Sequence, residues 1–233
     1  MPLRTASLKE KNQFTPDVIE LTFETPDTFA FKAGQFITFK VTDKMPPCFR
    51  AYSISAPPRE NGNQFSTCLK VIENGRGSNW LNSLKIDEKI EFMGPNGNFV
   101  FKGQKDNIIF VATGTGITPF NAMISDELKK GNKKNIKLLF GLRHISHIFY
   151  REFFENLAKQ YPNFTCDITL TKPENSDWNG KVGRVTDILR SSDIDVNNTE
   201  VYICGLKVMI EEVVSILKEK GMPQENINFE KYD

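Results

Sequence analysis

The chain has 233 residues, enough for one large domain or two small ones with their own cores, and too many for a peptide hormone or a disulfide-stapled miniature. Its 30 Lys and Arg residues against 29 Asp and Glu leave a net charge of +1, which argues against nucleic acid as the main partner. With 39% hydrophobic and 25% charged residues the composition is that of an ordinary soluble globular protein, and 19 Phe residues point to an aromatic core.

Met1-Pro2-Leu3-Arg4-Thr5 runs into Lys9-Glu10-Lys11 without the apolar stretch of a secretory signal. The longest apolar runs, such as Ile108 to Ala112, fall far short of the roughly 18 residues that begin to suggest a membrane span. A cytoplasmic location without a membrane span is therefore expected. Cysteines stand singly at 48, 68, 166 and 204, in none of the spacings that zinc, redox pairs or iron–sulfur clusters require, so no metal site is expected.

In chain order, Val18 to Phe23 and Phe36 to Val41 read as strands, the second with Ile37, Phe39 and Val41 on one face. Pro26, Gly34, Pro46-Pro47, Pro57-Pro58, Asn61-Gly62 and Gly94-Pro95-Asn96-Gly97 break residues 1–102 at intervals suited to turns between antiparallel strands, which predicts a small barrel or sandwich. From residue 103 to 233 the pattern becomes strand and helix in alternation. Ile108 to Ala112 precedes a helix carrying Phe120, Met123, Ile124 and Leu128, and Ile136 to Phe140 precedes one carrying Tyr150, Phe153, Phe154 and Leu157. Val201 to Cys204 precedes a third with Met209, Val213, Ile216 and Leu217. Such alternation predicts an α/β domain built on a doubly wound, mostly parallel sheet.

Three segments carry chemistry. Thr113-Gly114-Thr115-Gly116-Ile117-Thr118-Pro119 joins an apolar strand to an amphipathic helix, where glycines let the backbone approach a pyrophosphate and the helix start favours an anion; a tight strand-to-helix turn is the plainer alternative. Arg50-Ala51-Tyr52-Ser53-Ile54 sets Arg50, Tyr52 and Ile54 on one face of an extended chain, with a hydroxyl beside them. A flavin dinucleotide could use those group types as phosphate partner, ring partner and donor at N5, although from these residues alone a barrel strand with one outward Arg is the better account. Gly75-Arg76-Gly77-Ser78 is a second glycine turn before a short helix, suited to a phosphate or to a plain hairpin loop. His144 and His147 lack a third ligand nearby in sequence and read as surface histidines.

Taken in order, Arg50-x-Tyr52-Ser53, Gly75-x-Gly77-Ser78, Gly94-Pro95-x-Gly97-x-Phe99, Gly114-Thr115-Gly116-Ile117-Thr118-Pro119, Cys204-Gly205 and Glu230-x-Tyr232 resemble the ferredoxin–NADP reductase family over nearly the whole chain. The resemblance implies an antiparallel β-barrel FAD-binding domain at 1–102, followed by an α/β NAD(P)-binding domain at 103–233, with FAD and NAD(P)H as cofactors. It implies that Arg50 holds the FAD pyrophosphate, Tyr52 packs on the flavin, Ser53 hydrogen-bonds near N5, and the backbone of Gly75, Gly77 and Ser78 caps the phosphates. Thr113, Gly114, Thr115 and Gly116 would cradle the nicotinamide dinucleotide, and Cys204 and Gly205 would border the nicotinamide. Glu230 and Tyr232 would close the flavin's other side, so that Ser53, Cys204, Glu230 and Tyr232 are the candidate catalytic residues. Leu206-Lys207 after the Cys-Gly pair is similar to plant-type members, whereas Asp233 follows Tyr232 where those members end on the aromatic residue.

For the adenosine 2′ position, Gly141-Leu142-Arg143-His144 offers no carboxylate to hold a ribose diol, and Thr171-Lys172 resembles the Ser-Arg pair of NADPH-using relatives. Lys172 is otherwise a solvated loop residue before Pro173. The implied function is electron transfer from NAD(P)H through FAD to a soluble carrier such as ferredoxin or flavodoxin. An oxygenase reductase component, a free-flavin or haem-protein reductase, and a non-catalytic nucleotide-binding subunit are the alternatives.

Overall fold

Alternating burial marks the strands of the first half. In β3 (Phe36–Val41), Ile37, Phe39 and Val41 are fully buried while Phe36, Thr38 and Lys40 are half-buried, the period-two signature of a strand with one face on a core. The computed structural model describes residues 2–42, 45–174 and 178–232. Within it, β1 (Arg4–Thr15), β2 (Val18–Glu24), β3, β4 (Cys48–Ser53), β5 (Gln64–Lys70) and β6 (Lys89–Asn96) form an antiparallel sheet in the order β4-β3-β6-β1-β2-β5. Its outer strands meet. Thr67 Oγ1 donates to Ser53 O at 2.9 Å and Ser55 N–H donates to Ser66 O at 2.8 Å, which closes the sheet as a barrel.

The barrel interior is aromatic, as the Phe content predicts. Phe23, Phe29, Phe39, Phe65 and Phe92 form a chain of ring contacts with centroids 5.0–5.6 Å apart, mostly tilted or edge-on, the arrangement that aromatic quadrupoles prefer. The strand β1 has no counterpart in the sequence reading. Only Ala6, Leu8 and Thr15 of its 12 residues are buried, and the polar stretch between them hides the alternation.

The second sheet has the order β10-β9-β8-β7-β11-β12, made of β7 (Asn107–Thr113), β8 (Asn135–Leu142), β9 (Phe164–Leu170), β10 (Lys181–Val182), β11 (Thr199–Gly205) and β12 (Ile227–Lys231). Every neighbouring pair is parallel. β11 is buried along its whole length, as a parallel strand covered on both faces must be. The connecting helices are α2 (Thr118–Lys129), α3 (Arg151–Gln160), α4 (Val185–Ser191) and α5 (Lys207–Glu219); a further helix, α1 (Arg76–Ser83), belongs to the first half. Val185 and Leu189 of α4 and Met209, Ile210, Val213, Ile216 and Leu217 of α5 pack in one cluster with Val111, Leu139, Val201 and Ile203 of the sheet. The doubly wound reading is thus borne out.

One helix face differs from its sequence reading. Tyr150 is the N-cap of α3, at a left-handed φ of 59°, so it does not take part in the helical spacing; Phe154 is buried, but Phe153, about 100° around the helix, is 39% exposed.

The chain divides into two compact units: everything up to Phe101 together with Thr118–Asp126 of α2, and Lys102–Ile117 together with everything from Glu127 onward. In the first unit Thr118 Oγ1 donates to Cys68 O at 3.1 Å and the Phe120 ring lies 5.9 Å from Phe99. In the second, the segment after residue 101 is fastened to the sheet. Lys102 N–H donates to Tyr202 Oη (2.7 Å), Tyr202 Oη–H donates to Glu200 Oε1 (2.9 Å), and Gln104 N–H donates to Glu200 Oε2 (3.1 Å). Burial pushes the Tyr202 phenol well above its ordinary pKa, with the adjoining Glu200 acting in the same direction. Among the described residues no helix is long and apolar enough to cross a membrane.

Candidate functional site

In the first unit the sequence-predicted residues converge on one strand and one helix start. β4 places Arg50 exposed, Tyr52 half-buried and Ser53 buried, with Ile54 fully buried just beyond it. The Tyr52 ring lies 5.9 Å from Phe39, and burial pushes its phenol up to about 12, the Arg50 guanidinium acting against the rise. Arg50 Nη1 donates to Phe49 O at 2.9 Å, and no ion pair among the described residues includes it.

The first turn of α1 runs against this strand. A Cβ on Gly77 would lie 2.8 Å from Arg50 Cγ and 3.0 Å from Tyr52 Oη, so a larger residue would displace these two side chains from the helix start. Gly75 is the N-cap of α1 and no side chain caps the helix. Ser78 Oγ turns inward instead, accepting from Ile72 N–H at 3.0 Å and donating to Gly75 O at 3.4 Å, which ties the loop before the helix to its first turn. The result is an uncapped helix start beside a guanidinium and a tyrosine, a donor set suited to phosphate oxygens next to an aromatic ring system. Arg76 differs from Arg50 in that its Nη2 donates to Pro46 O at 2.8 Å and braces the neighbouring loop.

In the second unit the strand order reverses between β7 and β11, since the chain proceeds from β7 through β8 and β9 on one side and returns to β11 on the other. Ligands of open α/β sheets bind at the carboxyl ends of the strands at such a point. There β7 gives way to a 3-10 turn, Gly114–Ile117, that leads into α2. Gly114 has φ +53° with nothing within 4 Å of its added Cβ, whereas a Cβ on Gly116 would lie 2.3 Å from Cys204 O. Gly205, at φ +142°, would bring a Cβ to 2.4 Å from Thr113 Oγ1, and Leu206 N–H donates to that same oxygen at 3.4 Å. Thr113, Gly116, Cys204 and Gly205 therefore lie in close mutual contact.

Cys204 pairs in register with Glu230 of β12. Burial pushes the Cys204 thiol far above its ordinary pKa; the Glu230 carboxylate adds to this, and hydrogen bonds from Tyr232 and from the Gly205 N–H act against it. Cys204, Glu230 and Tyr232, predicted from distant motifs, thus form one cluster. Arg143, Thr171 and Lys172 form another, because Thr171 N–H donates to Leu142 O (3.1 Å) and Lys172 N–H donates to Arg143 O (2.8 Å). Sequence reasoning missed two neighbours of that cluster. His144, read as a surface histidine, reaches both Lys172 and Glu174, and nothing local in the sequence signals a partner about 30 residues away.

The oxidoreductase FAD-binding domain family matches residues 5–101 and the oxidoreductase NAD-binding domain family matches residues 110–215. Ferredoxin–NADP reductase B of Sorangium cellulosum is 32% identical over 238 residues, covering 98% of this chain and 97% of that protein. The chain belongs to the ferredoxin–NADP reductase family. It is a flavin-dependent NAD(P)H reductase that uses FAD and NAD(P)H. A component of the Na(+)-translocating NADH-quinone reductase of Klebsiella pneumoniae is 31% identical over 88% of this chain, which spans about half (54%) of that component. The phenol hydroxylase P5 protein of Acinetobacter pittii is 29% identical over 97% of this chain and 65% of its own length. Among solved structures, a ferredoxin NADP+ reductase from Neisseria gonorrhoeae with bound FAD and NADP shares the fold at a TM-score of 0.88, 17% identity and 99% coverage of both chains.

Proposed function

We propose that the enzyme takes a hydride from NADPH in preference to NADH and delivers electrons singly to a soluble ferredoxin or flavodoxin in the cytoplasm. The observation that carries the cofactor assignment is the packing of Gly77 against Arg50 and Tyr52, which sets an uncapped helix start, a guanidinium and an aromatic ring at one place. Arg50 and the N–H groups of Gly77 and Ser78 hold the FAD pyrophosphate, while Gly75, whose own N–H donates to Ile72 O at 2.8 Å, opens the turn; Tyr52 packs on the ring system, and the Ser53 hydroxyl orients N5. FAD supplies the two-to-one-electron conversion.

In the second unit the Gly114–Gly116 turn holds the NADPH pyrophosphate and Cys204 lies against the nicotinamide as a neutral thiol. Glu230 and Tyr232 fix the position of that thiol. Arg143, Thr171 and Lys172 receive the 2′-phosphate, with Lys172 acting as a point charge rather than a planar fork, so the preference for NADPH is modest. The work of these side chains is alignment and exclusion of water, and no acid–base pair is needed.

Anaerobic bleaching of the yellow protein by NADPH and by NADH, followed by addition of ferredoxin, flavodoxin and a cytochrome in turn, tests the reading. Faster bleaching by NADPH and one-electron reoxidation by ferredoxin or flavodoxin is the expected result. Lys172→Ala lowers kcat/KM for NADPH and leaves that for NADH nearly unchanged. Bleaching by NADH in preference, or reoxidation by neither carrier, overturns it. Likeness to the phenol hydroxylase P5 protein favours an oxygenase component as the second reading, and reoxidation only by an oxygenase would select it.

A further inference from the structure

The segments after β8 and β9 are joined by a side chain as well as by their backbones. His144 Nδ1 lies 3.1 Å from Lys172 O and 2.9 Å from Glu174 Oε1. A carbonyl and a carboxylate both accept, so Nδ1 carries the proton and donates to each. The link holds Glu174, whose backbone has a φ of 58°, two residues beyond Lys172. A negative charge is thereby held near the backbone of Lys172, the residue assigned to the 2′-phosphate, although no carboxylate follows β8 itself.

We propose that Glu174, tethered by His144, is a specificity-determining residue that opposes a 2′-phosphate and accepts from a 2′-hydroxyl, and so limits the preference for NADPH over NADH. The inference rests on the assignment of Lys172 to the 2′-phosphate. A phosphate monoester carries roughly −1.5 to −2 at neutral pH, so a nearby carboxylate repels it, whereas a ribose diol gains an acceptor. The Glu174 side chain is 71% exposed, and solvent and salt therefore hold the effect to a few-fold.

Calorimetric binding of adenosine 2′,5′-bisphosphate and of 5′-AMP to the FAD-loaded enzyme, supported by steady-state KM and kcat with both nucleotides, tests the proposal. Glu174→Gln is expected to tighten the bisphosphate about two- to fivefold and to leave 5′-AMP unchanged or slightly weaker, with the change in KM and not in kcat. His144→Ala shifts the bisphosphate in the same direction and adds nothing in the Glu174→Gln background, because it only releases the carboxylate that the first substitution neutralises. Unchanged binding in Glu174→Gln, or equal tightening of both probes, overturns the role of Glu174; additive effects of the two substitutions overturn the tether. Lys172→Ala in the same assay separates the premise from the inference. If it leaves the bisphosphate unaffected, the 2′-phosphate assignment itself fails, whatever Glu174 does.

Discussion

Gly116→Ala is expected to damage the nucleotide turn while leaving flavin content intact. The added Cβ would lie 2.3 Å from Cys204 O, 2.6 Å from Cys204 C and 2.7 Å from Gly205 Cα, all of them backbone, where real Cβ contacts essentially never fall under 3.0 Å. Relief needs a shift of at least about 0.7 Å. β11 cannot give way freely, because Cys204 is paired with Ala112 of β7 on one side and Glu230 of β12 on the other. Overpacking of this kind costs about 1–3 kcal/mol. At a urea slope of about 2 kcal/mol per M, a loss of about 2 kcal/mol moves the unfolding midpoint of the second unit down by about 1 M. Gly114→Ala is the control, since no atom lies within 4 Å and only the positive φ is strained, for about 1 kcal/mol. The assay is a urea titration followed by circular dichroism, with flavin absorbance after gel filtration and KM for NADPH on the same samples. A midpoint shift in Gly116→Ala no larger than in Gly114→Ala, together with an unchanged KM, would refute the argument from close approach.

Arg50→Ala is expected to weaken FAD binding roughly tenfold to a hundredfold, as loss of a charge-assisted phosphate contact does, and flavin absorbance after gel filtration reads it; full occupancy removes Arg50 from the site. Ser53→Ala keeps FAD and the barrel closure, because Thr67 bonds the backbone oxygen of residue 53, but slows flavin reduction in stopped flow; an unchanged rate makes Ser53 only a strand residue. Burial, with Asp167 and Glu155 acting in the same direction, raises the Cys166 thiol to about 12, and burial raises that of Cys204 as well, so both stay protonated at pH 8. Iodoacetamide at that pH is expected to leave both unmodified in the native enzyme by mass spectrometry, and rapid labelling contradicts the raised pKa of the half-buried Cys166 or the burial of Cys204.

Strong periodicity made much of this fold legible. β3 has the bounds its alternation predicts, and α5 buries Met209, Val213, Ile216 and Leu217 as their spacing requires. β1 escaped because only its two ends reach the core, and α3 was misjudged because a left-handed N-cap tyrosine mimics a helical position. The grouping of the candidate residues was readable wherever a motif was continuous, as in Arg50 to Ser53 and Thr113 to Thr118. It was not readable where the contact is made through the sheet. The register of β11 with β12 that joins Cys204 to Glu230, and the loop contact that joins His144 to Glu174, depend on strand order, which no local pattern encodes.

The protonation states in the two candidate subsites bear on what kind of catalysis the enzyme performs. Tyr52 remains a phenol because burial raises it to about 12, and Cys204 remains a thiol because burial and Glu230 raise it together. Both therefore keep one charge state across the neutral range, and neither is poised as a general acid or base there. At fixed protonation they can still donate a hydrogen bond, present a ring face or a polarisable sulfur, and keep water away. Hydride transfer asks for that and for close alignment, since a hydride moves directly between two carriers without a base. Two close approaches occur at these same subsites, Gly77 on the Arg50 side chain and Gly116 on the Cys204 backbone, and of the two only the second is against backbone. Added volume at Gly116, more than a change of charge at Tyr52 or Cys204, is therefore what the hydride step should respond to.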